Sequence, residues 1–103
     1  RLILKEAYQE VLSRYDLMLT PCQTGDAPRY EEMIAPDYKR GPSYTGACNL
    51  TGLPSLAVPA GFSGRGLPLS ILLSGRPFDE ATVLRVAHAY QGATAWHTRH
   101  PAV

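Results

Sequence analysis

The sequence lacks the charge imbalance on which most nucleic-acid-binding proteins depend. Its ten Lys and Arg residues are nearly balanced by nine Asp and Glu residues, so the formal net charge at pH 7 is +1. The basic residues are scattered, and no run of them is long enough to follow a phosphate backbone. We therefore expect no nucleic-acid partner bound through bulk charge.

Long apolar runs and paired cysteines are also missing. The longest apolar stretches, such as 71–73, are far shorter than the ~20 residues that a membrane-spanning helix needs, so we expect no membrane partner. Cys22 and Cys48 are the only two cysteines and lie far apart, which gives little support for a zinc site or a disulfide scaffold. The sequence therefore predicts reduced thiols, a cytoplasmic protein, no metal and no cofactor.

Apolar periodicity predicts two main helices. Within Leu2–Arg14 the apolar residues have the spacing of one helix face and the polar residues take the other. The second helix is expected after Asp79, which can cap it, with Phe78 packed onto Val83 as a hydrophobic staple and Gly92 as its stop. Because the first helical pattern begins directly after Arg1 without a capping residue, we interpret the chain as one whose upstream part is missing.

Three short strands are predicted between and after these patterns. Residues 16–20 form an apolar run closed by Pro21, which is typical of a strand buried on both faces. Residues 55–58 and 69–73 are bracketed by Pro and Gly, and the glycine-rich segment 60–66 predicts a hairpin between them.

Two segments show no periodicity. Between residues 22 and 44, prolines, glycines and charges predict a long loop with at most one helical turn. The tail, 93–103, is expected to lie over the surface.

One serine has a context that partly matches a nucleophile. Ser63 lies in Gly-Phe-Ser-Gly-Arg, which differs from the nucleophile elbow because Arg65 stands in place of the second glycine. A strand is expected to follow, whereas the elbow leads into a helix. We therefore interpret this segment as a hairpin turn.

Two further combinations of residues are weaker candidates. Cys22 and His88 could form a thiol and its base only if the fold brought them within hydrogen-bond reach, and His88 is expected on the polar side of its helix. His97 and His100 have a spacing that can bind metal on a helix, but no third ligand is near. Local pattern alone thus identifies no catalytic residue and no metal site.

Several motifs together resemble one enzyme family. NLTGLPSLAVPAGF at 49–62, GLP at 66–68 and GRPFDE at 75–80 closely resemble the C-terminal region of the amidase-signature family. DLMLTP at 16–21 and LRVAHAY at 84–90 look like the strand and the closing helix of that region. The resemblance covers nearly the whole chain and is weakest in the long loop.

The resemblance implies a fold. It suggests an α/β chain that is a fragment of the amidase-signature α/β/α sandwich, with two main helices packed on a few short strands of a mixed sheet. Residues 1–103 are then the incomplete C-terminal portion of one amidase domain.

The resemblance also implies an activity and its limits. The family cleaves carboxylic amide (C–N) bonds with a serine, a cis-serine and a lysine near a Gly-Gly-Ser-Ser segment, and this sequence contains none of those motifs. We therefore assign no catalytic residue and expect the chain to be inactive alone, with a small-molecule amide bound only in the complete enzyme. The expected partner is the missing N-terminal amidase portion or a second copy in a homo-oligomer.

Residues at strand ends are the candidates for the wall of a substrate pocket, because α/β sheets usually place ligand-facing groups there. Asn49 and Thr51 have an alternative role, which is to satisfy backbone groups at a turn. Two alternative functions also remain, a stand-alone partner-binding module and a piece of the A subunit of an amidotransferase that acts on charged tRNA. The candidate wall residues are Thr20, Pro21, Cys22, Asn49, Thr51 and Gly52.

Overall fold

The computed structural model describes residues 1–102, and in them helices alternate with the strands of one small sheet. Both main helices expected from periodicity are present, and the long loop contains the one helical turn allowed for it. In chain order the elements are α1 (Leu2–Arg14), β1 (Leu17–Pro21), α2 (Tyr30–Met33), α3 (Thr45–Thr51), β2 (Ser55–Phe62), β3 (Pro68–Gly75), α4 (Glu80–Ala93) and a 3₁₀ turn (Trp96–Thr98).

The three strands form a sheet in the order β1-β3-β2, and both neighbouring pairs are antiparallel. Leu73 of the central strand lies opposite Leu19 on one side and Leu56 on the other. A register shift between Pro59 and Gly61 marks an irregularity near the hairpin end of β2. The α/β class with helices packed on short strands is confirmed, and within residues 1–102 the strands pair only in the antiparallel sense.

The main core lies between α4 and one face of the sheet. Val58 and Leu73 contribute from the strands and Val83 and Ala87 from the helix, and all four are at most 5% exposed. The close approach of helix and sheet depends on Gly75, since a Cβ there would lie 2.6 Å from Cγ2 of Val83. A side chain at the end of β3 would therefore push α4 away.

Helix α3 contacts the face of the sheet opposite to the one that packs against α4. Successive residues of a strand point to opposite faces, so Ser74 points away from the α4 core that holds Leu73. Its buried hydroxyl lies 3.2 Å from Sγ of Cys48 in α3 and accepts a hydrogen bond of 3.1 Å from Oγ of Ser55. These polar contacts join α3 to the central strand β3 and, through Ser74, to β2, and α3 also contacts α1.

Arg76 fixes the end of α1 to the turn that follows β3. Its guanidinium donates hydrogen bonds to the carbonyl oxygens of Leu12 at 2.8 Å and Tyr15 at 3.1 Å, and lies 3.4 Å from a carboxylate oxygen of Asp16. A cation at a helix C-terminus satisfies carbonyl groups that lack partners within the helix. The end of α1 is therefore bonded to the turn that leads into α4.

The tail packs onto β2 rather than running freely. The ring of Trp96 lies 6.4 Å from the ring of Phe62, and the guanidinium of Arg99 lies over both rings at 5.4 and 5.1 Å. The expectation that the tail lies over the surface is therefore met by a short ordered turn, and Val103 lies outside the described residues.

Several local expectations were wrong. The strand expected at 16–20 runs from Leu17 to Pro21 and is not buried on both faces, because α4 packs on β2 and β3 and leaves Leu19 60% exposed. Phe78 is not a staple, since it is 94% exposed. Gly92 does not end α4, which continues to Ala93 before the extended backbone of Thr94.

Two strands are longer than expected, and one helix is additional. The hairpin strands are longer than expected and leave only residues 63–67 as the turn. Helix α3 was not predicted. Within residues 1–102 we find no helix whose length and apolar character would allow it to cross a membrane.

Candidate functional site

A cleft of about 490 Å³ opens where β1 ends and β3 begins. It lies beside the hairpin end of the sheet, and the first residues of the long loop form one wall. Most of its surface is apolar side chain and backbone. The lining residues are Pro21, Cys22, Gln23, Thr24, Gly25, Ala27, Ala60, Pro68, Leu69, Ser70 and Ile71.

Backbone hydrogen bonds on both sides hold the Cys22 wall of this cleft. The Cys22 amide donates to the carbonyl of Ser70 at 3.2 Å, which continues the β1–β3 pairing by one residue. The Cys22 carbonyl accepts from the amide of Tyr44 at 3.2 Å, and an isolated bridge joins Gln23 to Ser43. The two ends of the long loop therefore meet beside β3.

The Cys22 thiol is half-buried, and its surroundings favour the neutral form over the thiolate. Burial raises the pKa of Cys22 because the thiolate would lose solvation. A nucleophilic cysteine needs the opposite shift, which a neighbouring cation or base provides. His88 is exposed on α4 and is not among the residues lining the cleft, so the structure does not bring this thiol and imidazole together.

The long loop encloses a second cleft of about 520 Å³ on its own side. The segment around Asp26 separates the two clefts, because Gly25 and Ala27 line both. Charged groups border this second cleft, whereas none lines the first. The other residues lining it are Gln23, Thr24, Asp26, Pro28, Met33, Tyr38, Arg40, Gly41, Pro42 and Ser43.

Ser63 connects the hairpin turn to the long loop. Its hydroxyl donates to the Asp26 carboxylate at 2.5 Å and accepts from the amides of Arg65 at 3.2 Å and Leu67 at 3.4 Å. Arg65 adds an ion pair with the same carboxylate at 3.5 Å and a hydrogen bond to the Ala27 carbonyl at 3.0 Å. All these contacts fix the position of a loop, and the prediction that this segment is a hairpin turn is confirmed.

Sequence reasoning missed the role of Asp26. It lies 37 residues before Ser63, and no motif or spacing marks it as the partner of that serine. Only the meeting of the long loop with the hairpin turn reveals the contact.

Four of the six candidate wall residues lie away from both clefts. Thr20 lies in β1 opposite Leu72, and Asn49 is exposed in α3. The hydroxyl of Thr51 donates to the carbonyl of Ala47 at 2.8 Å, and Gly52 ends α3 in the left-handed conformation with φ 73°. Pro21 and Cys22 are therefore the candidates that the structure brings together at a cleft.

The two tail histidines do not form part of a cluster. His97 and His100 are both exposed. In the part of the chain that the structure describes, no group of three or more His, Cys, Asp or Glu side chains is arranged to hold a metal ion.

The family is identified by comparison with known proteins. The family model named Amidase matches residues 1–84, which include the β1 wall of the cleft and the whole sheet. The chain therefore belongs to the amidase family, whose members carry the amidase signature.

The most informative relatives are the same subunit of one enzyme in different organisms. The chain is 41% identical over 103 residues to the A subunit of glutamyl-tRNA(Gln) amidotransferase from Carboxydothermus hydrogenoformans, covering 98% of this chain and 21% of that protein. It is 44% identical to the corresponding protein of Chloroflexus aggregans, with the same two coverages. The chain thus spans about a fifth of the length of the curated relatives that it matches.

Solved structures agree on the fold. The crystal structure of the corresponding protein from Thermotoga maritima superposes with a TM-score of 0.79 and 36% identity, covering 88% of this chain and 20% of that one. A structure of 6-aminohexanoate cyclic dimer hydrolase superposes with a TM-score of 0.77 at 24% identity, covering 98% and 24%. At that identity the second likeness shows the shared fold alone.

Proposed function

We propose that this chain forms the terminal sheet segment of an enzyme that cleaves carboxylic amide bonds. The observation that carries the proposal is the amidase family match over residues 1–84. In this proposal residues 1–103 are the C-terminal portion of one amidase domain, and its remaining polypeptide is the partner that completes the enzyme.

The chemistry of amide cleavage supports a contribution from more than this chain. A nucleophile must be activated by a positioned base, and the tetrahedral oxyanion must meet preorganised donors in the same pocket. In the described residues Ser63 is engaged by the loop contacts to Asp26, and burial disfavours the Cys22 thiolate. We therefore assign the nucleophile, the base and the oxyanion donors to the remaining amidase polypeptide.

The part left to this chain is the wall of a substrate pocket. Pro21 and Cys22 are the residues on which this assignment depends, because they line the first cleft at the end of β1. Ligands of α/β sheets commonly bind outside strand ends. The largely apolar lining suits a small amide with a hydrocarbon part.

A chimera tests the proposal. The chain replaces the matching fifth of the Carboxydothermus hydrogenoformans relative, and hydrolysis of simple amides is measured for the chimera and for the 103-residue chain alone. We expect turnover by the chimera and none by the chain. Substitution of Ser63 with Ala should leave the kcat of the chimera within about threefold, since that hydroxyl holds a loop in place.

The contrary results are equally clear. Turnover by the isolated chain that Ser63→Ala abolishes would place the nucleophile in this chain. A folded chimera without amide hydrolysis, beside an active parent, would mean that this segment cannot serve in an amidase.

Within amide chemistry, transfer to charged tRNA is the second candidate. Eight curated relatives between 34% and 44% identical are all A subunits of glutamyl-tRNA(Gln) amidotransferase. The partners would then be the other subunits of such an enzyme, and the site of action the cytoplasm, where charged tRNA is used. The test is amidation of glutamyl-tRNA(Gln) by the chimera with the relative's other subunits, since a general amidase would hydrolyse amides without this transfer.

A further inference from the structure

Phe78 combines a positive φ with an almost fully exposed aromatic ring. Its φ of 62° makes it the one non-glycine residue with positive φ in the part of the chain that the structure describes. Its side chain is also 94% exposed, the highest exposure among the large apolar residues described. A bulky residue in this conformation is strained, and such strain persists where the surroundings impose it.

The flanking contacts show what imposes the conformation. On one side Arg76 is bonded to the end of α1 through the carbonyls of Leu12 and Tyr15. On the other side the Asp79 amide donates to the Arg76 carbonyl at 3.0 Å, and the Asp79 carboxylate caps α4. The backbone is thus held before and after Phe78, and the ring is directed outward.

Nothing within the described chain covers this ring. Leu84, in the second turn of α4, is also 58% exposed, so the beginning of this helix presents two large apolar side chains. Single exposed apolar side chains are common on protein surfaces, so the distinguishing feature of Phe78 is that a strained backbone holds its exposed ring outward. Aromatic residues, Phe among them, are enriched at the buried centre of contacts between polypeptides.

We propose that Phe78 anchors this chain to the remaining amidase polypeptide, by inserting its ring into an apolar pocket of that polypeptide. The occupant follows from length, because the chain spans about a fifth of the relatives it matches and the other four-fifths must cover part of its surface. The inference rests on the proposed function. Burial of the ring and the strain at φ 62° are of similar magnitude, so contact with the partner can sustain the strained backbone.

The anchor is tested by comparing how substitutions at Phe78 change the thermal midpoint of the isolated chain and of the chimera. Phe78→Gly and Phe78→Ala are introduced into the 103-residue chain and into the chimera described above, and thermal midpoints are measured. In the isolated chain Phe78→Gly should leave the midpoint unchanged or raise it, because glycine adopts positive φ without strain. In the chimera Phe78→Ala should lower the midpoint by about 5 °C, because the buried ring is lost while the strain remains. Phe78→Gly should lower it by a smaller amount, because relief of the strain offsets part of the loss.

The controls separate anchoring from general apolar surface. Tyr30→Ala removes another exposed aromatic ring, 71% exposed in α2, and should shift neither midpoint by more than about 2 °C. Phe78→Leu, which keeps apolar volume, should recover part of the loss in the chimera. Chimeras of the Gly and Ala variants that fail to fold, while the isolated variants fold, would support the anchor.

Two outcomes would overturn it. One is an equal effect of Phe78→Gly in the isolated chain and the chimera; the other is an unsubstituted chimera that does not fold although its parent does. The proposed function is tested separately, because it depends on the amide hydrolysis of the unsubstituted chimera and not on the response to substitution at Phe78.

Discussion

The contact between Gly75 and Val83 makes a quantitative prediction about how tightly α4 packs on the sheet. A Cβ at position 75 would lie 2.6 Å from Cγ2 of Val83, 3.4 Å from the Asp79 carbonyl oxygen and 3.7 Å from the Pro54 ring. The Val83 methyl cannot easily turn away, because a β-branched side chain in a helix has one strongly preferred rotamer. Gly75→Ala must therefore displace the helix or force an unfavourable rotamer.

The expected size follows from two opposing terms. Overpacking a core typically costs about 1–3 kcal/mol. Replacing glycine by alanine also restricts the unfolded chain, which returns roughly 0.4–1 kcal/mol. We expect Gly75→Ala to lower the free energy of unfolding by about 1–2 kcal/mol.

A double-mutant cycle isolates the contact. Val83→Ala removes buried methyl groups and should cost about 2 kcal/mol on its own. The double variant should lose about 1 kcal/mol less than the sum, because the new methyl group occupies the space that valine has left. Urea unfolding followed by circular dichroism measures all four proteins, and an unchanged m-value shows that the native and unfolded states remain comparable.

Additive losses of unfolding free energy in Gly75→Ala and Val83→Ala would refute the expected steric conflict. If the two single losses add within about 0.3 kcal/mol, the methyl groups do not compete for one space. A neutral Gly75→Ala would likewise mean that α4 lies farther from β3 than the structure places it.

Three further predictions follow from single contacts. Arg76→Ala should lower the free energy of unfolding by about 2 kcal/mol and speed amide hydrogen exchange in α1, whereas Arg76→Lys keeps the charge and should recover less than half of the lost stability. Equal exchange in the unsubstituted chain and both variants would contradict this. Asp79→Ala should cost about 1 kcal/mol by urea unfolding, since the carboxylate caps α4, and Asp79→Asn should retain most of the cap. Burial raises the pKa of Cys22, so its alkylation, followed by mass spectrometry, should reach half its maximal rate at a higher pH than that of a free thiol, while buried Cys48 reacts only on unfolding. A midpoint for Cys22 at or below the free-thiol value would refute this.

Periodicity and capping were the parts of the fold that the sequence could predict. The bounds of α1 agree with the structure, and Asp79 caps α4 as expected, because both depend on residues within a few positions of one another. Helix α3 has no such local signal, since Gly46 and three Thr or Asn residues give it poor helix propensity. It is held by tertiary contacts instead, since buried Cys48 contacts Ser74 of the sheet and the helix packs against α1.

In the candidate site, too, the residues marked by local sequence could be predicted and those joined by long-range contacts could not. Pro21 and Cys22 could be placed at a strand end from local pattern, and they do line a cleft. The contact of Asp26 with Ser63 and Arg65 joins residues more than 35 positions apart and could not be derived from one sequence. Phe78 was expected to staple α4, but the contacts of Arg76 and Asp79 fix a backbone that directs the ring outward.

The packing of the tail has a practical consequence. Trp96 is the only tryptophan, and its indole lies against Phe62 with the Arg99 guanidinium stacked on it. Its fluorescence emission therefore reports on detachment of the 3₁₀ turn and Arg99 from β2, independently of the far-ultraviolet signal of the sheet and helices. A red shift at low urea, before the main transition, would reveal a chain whose terminus frays first.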